Sequence, residues 1–247
     1  MITTSPTTSM RLADPTGGPL QPESALLAEL LEFDGARVAE LGCGKAELTL
    51  RLARLHPDAQ FVAFEVDAVQ HALNLAATRP ANVQFRAGGA EAIALDDATV
   101  DVVLMFKSLH HVPKEKLDQA LAEIRRVLKP GGLAYISEPV FAGALNEINR
   151  IFHDEERVRL AAFAALQRAI EAGVLELVTE RFIRIERAFA DFADFERKVL
   201  NVTYNDNRLT PAQFDEVRAR FDAHMTPTGA RFDAPLRIDL LRRPVPH

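Results

Sequence analysis

The sequence predicts an α/β fold, a Rossmann-like doubly wound sheet, because short apolar runs alternate with helical patterns through its first half. The run VDVVLMF at residues 100–106 is almost continuously apolar, as expected for a strand buried on both faces of a sheet. Strand-helix-strand repeats of this kind form parallel strands joined by right-handed crossovers. Ligands of such sheets bind beyond the carboxyl ends of the strands, so the residues that follow each strand are the candidates for a site.

The order of the predicted elements follows from hydrophobic periodicity and from the residues that stop each pattern. Thr210 before Pro211 predicts the start of a late helix, with Pro at the first helical position. The segment 188–234, between the last two strands, is predicted to be a helical insertion. The predicted strands are 37–41, 60–66, 83–87, 100–106, 133–137, 175–188 and 236–241, and the predicted helices are 46–55, 68–77, 114–128, 144–172, 191–199 and 211–223.

The composition predicts one ordinary globular domain. The chain has 247 residues, 48% of them hydrophobic, and a formal net charge of −6. We predict a single domain over 23–247, preceded by a flexible leader over 1–22 that is rich in Thr, Ser, Pro and Gly. The one cysteine allows no internal disulfide, and no run reaches the roughly 20 apolar residues of a membrane span, so we expect a cytoplasmic protein. The arginines are interleaved with acidic residues, so no nucleic-acid partner is expected.

The most informative segment is VAELGCGKAELTL at 38–50, where a strand ends at Glu40 and a Gly-x-Gly turn leads into a helix. A dinucleotide site of the usual pattern has a third glycine where this chain has Glu47. A phosphate-binding P-loop has a Ser or Thr hydroxyl where this chain has Ala46. A plain tight turn remains an alternative to a binding loop.

The segments after the next strands add to this pattern. The second strand ends in FEVD at 64–67, where the Glu65 carboxylate is suited to accepting hydrogen bonds from ribose hydroxyls, although a solvated acid is the alternative. GGAE at 88–91 follows the third strand, KSLHHV at 107–112 follows the fourth, and LKPGG at 128–132 precedes the fifth.

Together these segments resemble the class I S-adenosylmethionine-dependent methyltransferases over about residues 25–140. The resemblance implies a seven-stranded sheet whose last strand is antiparallel, and S-adenosylmethionine as the cofactor. It implies that the residues at 40–44 hold the methionine part, that Glu65 binds the ribose, and that Val66 and Ala90 flank the adenine. The cofactor-binding set that it implies is Glu40, Gly42, Cys43, Gly44, Glu65, Val66, Gly89, Ala90, Glu91, Phe106 and Lys107.

This chain departs from the family pattern at three places. Ala46 stands where a third glycine is frequent, and Gly89 stands where Asp is frequent, so a side-chain contact from residue 89 to adenine is in doubt. The Asn/Asp-Pro-Pro-Tyr/Phe signature of amino-methylating members is absent after the fourth strand. That absence lowers the expectation of nucleic-acid base or amide methylation.

The acceptor site is expected where the segments after the fourth, fifth and sixth strands meet. His111 and Tyr204 are the candidate catalytic residues, whereas His110 is interpreted as a structural part of the turn. Spacings of three and four along the predicted helix 144–172 place several polar side chains on one side, although a solvated face is the alternative. The candidate substrate-binding residues are Glu138, Asn146, Asn149, Arg150 and His153.

These observations favour methyl transfer to the oxygen, nitrogen or carbon of a small molecule. Two alternatives stay open: an enzyme of the same fold that cyclises or cleaves S-adenosylmethionine, and a cofactor-binding partner subunit without catalysis. The insertion 188–234 is a candidate substrate lid or dimer contact, and a homodimer is compatible with it. No metal site is expected, since the histidines do not pair with Cys or Asp at ligand spacing.

Overall fold

The computed structural model describes residues 10–201 and 209–245, and its centre is one twisted sheet. The strands are β1 (Arg37–Leu41), β2 (Gln60–Glu65), β3 (Val83–Ala87), β4 (Val100–Phe106), β5 (Leu128–Pro139), β6 (Glu176–Phe189), β7 (Met225–Thr226) and β8 (Gly229–Arg242). The strand order is β3-β2-β1-β4-β5-β8-β6, with β7 paired to β8 beside this path. Strands β1 to β5 pair in parallel, whereas β8 runs antiparallel to both β5 and β6. The predicted seven-stranded sheet with an antiparallel last strand is confirmed, and β7 is a two-residue addition.

The helices cover both faces of the sheet. They are α1 (Glu23–Leu30), α2 (Glu47–Leu55), α3 (Ala68–Ala76), α4 (Leu117–Val127), α5 (Ala144–Asn149), α6 (Glu156–Glu171), α7 (Phe192–Phe195) and α8 (Pro211–Asp222), with a π-helical turn at Glu196–Leu200 and short 3₁₀ turns at Leu109–His111 and Lys114–Lys116. Buried side chains of α4 and α6 form one hydrophobic core with one face of the sheet, and those of α1 and α2 form a second core with the other face. The sheet is therefore doubly wound, as predicted, and its carboxyl edge lies between the two layers.

Two strands are longer than the sequence indicated. Strand β5 begins at Leu128, since its backbone pairs with Val100 before the register continues from Leu133. Strand β8 begins at Gly229 because it pairs with β6 along almost its whole length, from Phe189↔Ala230 to Glu176↔Arg242. Polar residues interrupt the alternating hydrophobicity in these extensions, so the sequence pattern did not predict them as strand.

The single long helix predicted over 144–172 is wrong, because the structure has two helices with a corner at 150–155. At the start of α6, Asp154 Oδ1 accepts a hydrogen bond from the backbone N–H of Glu156 at 3.0 Å, which satisfies an N–H group that a new helix leaves without a partner in its own first turn. Asn146 and Asn149 therefore lie on α5, whereas His153 lies in the corner and does not share a helix face with them.

The insertion between β6 and β8 has a small core of its own. Phenylalanine rings from β6, α7, α8 and β8 pack together with centroid separations of 5.0 to 6.0 Å, and α5 closes the cluster with Leu145 and Ile148. Thr210 caps α8 in a capping box with Gln213, as its position before Pro211 predicted. Residues 202–208 of the insertion lie outside the described part of the chain.

The segment before α1 runs along strand β6. Leu20 forms a bridge with Arg184, and the backbone N–H of Arg11 donates to Glu180 Oε1 at 2.7 Å. These contacts attach residues 11–21, which belong to the leader predicted over 1–22, to the edge of the sheet. Among the described residues, no helix combines the length and the apolar character needed to cross a membrane.

Candidate active site

The loop after β1 turns at Gly42, where the backbone has a φ of +73°. A Cβ atom added to Gly42 would lie 2.8 Å from Cβ of Ser108, and Ser108 is itself fixed because its Oγ donates to the backbone oxygen of Leu41 at 2.8 Å. Glycine is required here both for the backbone conformation and for the close approach of the loop that follows β4. Residues 42–44 therefore form a closely packed glycine turn, the Gly42 cradle, at the carboxyl edge of the sheet.

Glu65 ends β2 directly beside this loop. Its Oε2 accepts a hydrogen bond from the backbone N–H of Gly44 at 2.7 Å, and its Oε1 accepts one from the N–H of Asp67 at 2.9 Å. The carbonyl of Gly44 in turn accepts from Nδ2 of Asn74 at 2.7 Å. The carboxylate is 7% exposed, so it is held in a fixed position with lone pairs left for further donors.

Glu40, on the neighbouring strand, is buried in a less polar setting. Thr49 Oγ1 donates to its Oε2, and burial raises the pKa of this carboxyl to about 8, against the opposing effect of the Lys107 ammonium. A cation bound beside Glu40 would restore its charge at neutral pH, because an opposite charge favours the ionised form. Glu40 is therefore suited to receive an ammonium group.

The segment after β3 uses Glu91 where the family pattern often has Asp at residue 89. A Cβ built on Gly89 would meet the Glu91 carboxylate at 2.2 Å, so this carboxylate already fills the space of a side chain at position 89. Lys116 Nζ lies 3.1 Å from Glu91 Oε1 and orients it. Ala90 is buried beside it, whereas Val66, after β2, is 68% exposed.

The end of β4 brings Lys107 into contact with the first helix. Its Nζ lies 2.6 Å from Oε2 of Glu23, and its backbone N–H donates to the carbonyl of Ser137. Phe106 packs against Tyr135 on β5 with ring centroids 5.6 Å apart. Glu23 was not singled out from the sequence, because no local pattern in α1 indicates an ion pair with Lys107, 84 positions away.

The two histidines after Lys107 have different surroundings. His110 is buried; its Nδ1 donates to Glu138 Oε2 at 2.5 Å and its Nε2 lies 3.5 Å from Glu155 Oε1. Although burial opposes protonation, the two carboxylates raise the pKa of His110 to about 9. Removal from water and the neighbouring His110 lower the pKa of His111, which is exposed on one side. His110 is thus held as a cation, whereas His111 is neutral at pH 7.

Glu138 is 2% exposed, and its other oxygen accepts from the backbone N–H of Leu109 at 3.0 Å. Its contacts are with the loop after β4 and not with open space, contrary to the substrate contact that the sequence suggested. Glu138 therefore positions His110 and the turn around it.

The remaining predicted substrate residues surround the α5–α6 corner. Asn146 Oδ1 accepts from Arg159 Nη1 at 3.1 Å, and Arg150 lies over the ring of Phe141 at 5.2 Å. His153 Nε2 lies 2.9 Å from Glu155 Oε1. The buried atoms Asn146 Nδ2 and Asn149 Oδ1 have no hydrogen-bond partner within the described ranges 10–201 and 209–245.

The structure therefore gathers the predicted residues into two groups at one sheet edge. The first group surrounds the loop after β1, and the second surrounds the α5–α6 corner. The first comprises Glu40, Gly42, Cys43, Gly44, Glu65, Gly89, Ala90, Glu91, Phe106 and Lys107. The second comprises His111, Glu138, Asn146, Asn149, Arg150 and His153. Tyr204 lies outside the described residues. Sequence reasoning missed Glu155 and Arg159, whose spacing of four on a helix is a signal for an ion pair and was available.

Comparison with known proteins agrees with this arrangement. Residues 38–132 match a family model described as a methyltransferase domain. An uncharacterised methyltransferase of Schizosaccharomyces pombe is 28% identical over 189 residues, which are 75% of this chain and 72% of that protein. The demethylmenaquinone methyltransferase of Chlorobaculum tepidum is 31% identical over 104 residues, 42% of this chain and 41% of that protein. Several other curated relatives are matched over only 34% to 44% of their own length.

A solved structure shares the fold. The structure of a putative methyltransferase from Bacillus halodurans superposes with a TM-score of 0.61 and 18% identity, over 90% of this chain and 99% of that one. The sheet order, the loop after β1 and these matches together define a Rossmann-like methyltransferase. Residues 38–132 are thus similar to a methyltransferase domain, and the relatives and the shared fold support a class I S-adenosylmethionine-dependent methyltransferase.

Proposed function

We propose that this protein transfers the methyl group of S-adenosylmethionine to the oxygen, nitrogen or carbon of a small-molecule acceptor. One observation carries the proposal: the cradle at Gly42 lies beside two carboxylates, Glu40 and Glu65, on adjacent strands. Glu65 is fixed by two backbone N–H groups, whereas Glu40 is buried beside Thr49. This donor and acceptor set fits a ligand that has both ribose hydroxyls and an ammonium group.

S-adenosylmethionine supplies an electrophilic methyl group when it is bound. Glu65 would accept hydrogen bonds from its ribose hydroxyls, and Glu40 would face its ammonium group. The Glu91 carboxylate, in the space of a residue-89 side chain, would accept from the adenine amino group. The protein's main contribution to such a displacement is to align the reactants and to exclude water.

A proton on the acceptor needs a group that can take it. His111 is exposed on one side and neutral at pH 7, so its imidazole is suited to that role, whereas the His110 imidazolium is not. Both side chains lie in the turn directly after β4, three and four residues beyond Lys107.

Two observations support a small acceptor. The insertion packs against α5, where Gln213 Nε2 donates to the carbonyl of Ile151 at 2.9 Å, so its helices border the α5–α6 corner. An acceptor site beside that corner would be partly covered, as suits a small molecule. The Chlorobaculum tepidum relative is named for a small-molecule acceptor, demethylmenaquinone.

An acceptor screen followed by mass spectrometry tests the proposal. We expect S-adenosylhomocysteine to form only when an acceptor is present, together with an acceptor heavier by one methylene group. Formation of methylthioadenosine, or turnover of S-adenosylmethionine without an acceptor, would show cofactor cleavage instead. Binding of the cofactor with no turnover across quinol, phenol, amine and carboxylate acceptors would favour a non-catalytic partner subunit.

A further inference from the structure

The α5–α6 corner holds a cluster of side chains that the proposed methyl transfer does not fully use. One ligand atom each from His110, His111 and Glu155 lies within 4.8 Å of the other two. These residues come from two segments 44 positions apart, so no local spacing in the sequence could announce the group. The expectation that the histidines lack ligand partners therefore rested on spacing alone.

The donor atoms of the cluster are close enough together to share one metal ion. His110 Nε2 and Glu155 Oε1 are 3.5 Å apart, close to the roughly 3.3 Å between two ligands of one tetrahedral zinc. The rings of His110 and His111 lie side by side with centroids 4.1 Å apart. Two imidazoles and one carboxylate are a donor set that divalent transition metals accept, with a position left open for another ligand.

The groups around these three residues already orient them. His110 Nδ1 donates to Glu138, and its Nε2 is directed at Glu155. A metal ion bound at Nε2 would replace the proton that His110 carries there and release it to solvent, which gives the carboxylate–histidine–metal arrangement. Arg159 Nη2 donates to Glu155 Oε2 at 2.6 Å, so that carboxylate presents only Oε1 to the histidines. His153 Nε2 contacts the same Oε1 at 2.9 Å, so this oxygen already faces imidazole groups on two sides.

We propose that His110, His111 and Glu155 form a binding site for a divalent transition metal such as Zn²⁺, with Glu138 and Arg159 as supporting partners. The proposal stands independently of methyl transfer, because it rests on the donor atoms alone. A metal would occupy the same lone pair of His111 that would otherwise take a proton, so these two roles exclude each other.

Titration of the tag-free chain with Co²⁺, followed through the visible absorption of the bound ion, tests the site. We expect one equivalent to bind and Zn²⁺ to displace it. His111→Gln and Glu155→Gln should each weaken binding at least ten-fold, because loss of even a supporting partner costs 10- to 100-fold. His56→Gln is the matched control, since His56, at the end of α2, contacts Asp34 and the ring of Phe33 and is not part of the cluster, so it should leave the titration unchanged.

A second measurement does not depend on the variants folding. In the wild-type chain, Zn²⁺ should shift the imidazole NMR signals of His110 and His111 and leave those of His56 and His71 in place. Absence of binding in wild type, shifts confined to other histidines, or equal affinity in folded His111→Gln and Glu155→Gln would each overturn the proposal.

Discussion

Two carboxylates beside the loop after β1 differ in their surroundings and therefore in their roles. Glu65 accepts hydrogen bonds from two backbone N–H groups and is held ready for hydroxyl donors. Glu40 is buried with Thr49 as its hydrogen-bond donor, and its pKa is raised to about 8. Glu65 is a fixed hydrogen-bond acceptor, whereas the Glu40 carboxyl would become ionised at neutral pH when a cation binds beside it.

Replacing Glu65 tests the ribose contact. Glu65→Ala should weaken S-adenosylmethionine binding by at least ten-fold, because each hydrogen bond to a charged group contributes about 1.5–3 kcal/mol. Calorimetric titration measures the affinity, and thermal unfolding verifies that the variant is folded. Glu29→Ala, an exposed acid on α1, is the control and should bind as wild type. Equal affinity of Glu65→Ala and wild type would mean that the ribose lies elsewhere.

Gly42 tests the close approach of the two loops. Gly42→Ala should lower stability by about 1–3 kcal/mol, through both the positive φ and the contact with Ser108, and should impair cofactor binding. Gly35→Ala separates the two causes, since Gly35 also has a positive φ, of 68°, but no atom within 4 Å of an added Cβ. Chemical denaturation of both variants gives the comparison. A Gly42→Ala effect no larger than that of Gly35→Ala would remove the steric argument.

At the scale of secondary-structure elements, helix α8 depends on its capping box. Thr210→Ala should cost about 1 kcal/mol of stability, since it leaves the N–H of Gln213 without its side-chain acceptor. Thr210→Ser keeps the acceptor and should be close to wild type. Denaturant midpoints measure the loss. Cofactor affinity should be unchanged, because α8 packs on α5 and α7 and is not part of the loop after β1; a parallel fall in affinity would contradict that separation.

The elements differ in how far the sequence could predict them. Strand β4 and helix α4 follow from periodicity, because their buried residues are apolar and evenly spaced. The corner between α5 and α6 does not, because the helical pattern continues through 150–155, whereas in the structure Asp154 accepts a hydrogen bond from the N–H of Glu156 and a second helix begins there. The loop after β1 was singled out through a local motif. Its partner Asn74 and the Lys107 partner Glu23 were not, because each reaches its contact through tertiary packing.

At the scale of the whole molecule, stability should depend on pH through Glu40. Its folded pKa of about 8 lies above the unfolded value of 4.5, so its contribution is complete below pH 4.5 and is lost as pH rises toward 8. Glu40→Gln removes this loss. Between pH 5 and pH 8, the free energy of unfolding of Glu40→Gln should therefore rise relative to wild type by about 1 kcal/mol or more. The difference in Tm between the two chains should rise by roughly 2–4 °C.

Comparison of the two chains isolates Glu40 from other titrating groups. Burial also raises the pKa of Asp239, to about 6, but this effect is common to both proteins and cancels in the difference. A difference in Tm that stays constant from pH 5 to pH 8 would show that Glu40 is ionised in the folded protein without a ligand.

The loop after β1, with Glu40 and Glu65, is proposed as the site for S-adenosylmethionine. Calorimetric titration of the folded chain with S-adenosylmethionine and with S-adenosylhomocysteine tests it most directly, with NAD as a control ligand. We expect saturable binding of both ligands at one site, weakened in Glu65→Ala, and no binding of NAD. Absence of binding by either ligand to the folded protein would contradict it and would make the Gly42 cradle no more than a tight turn.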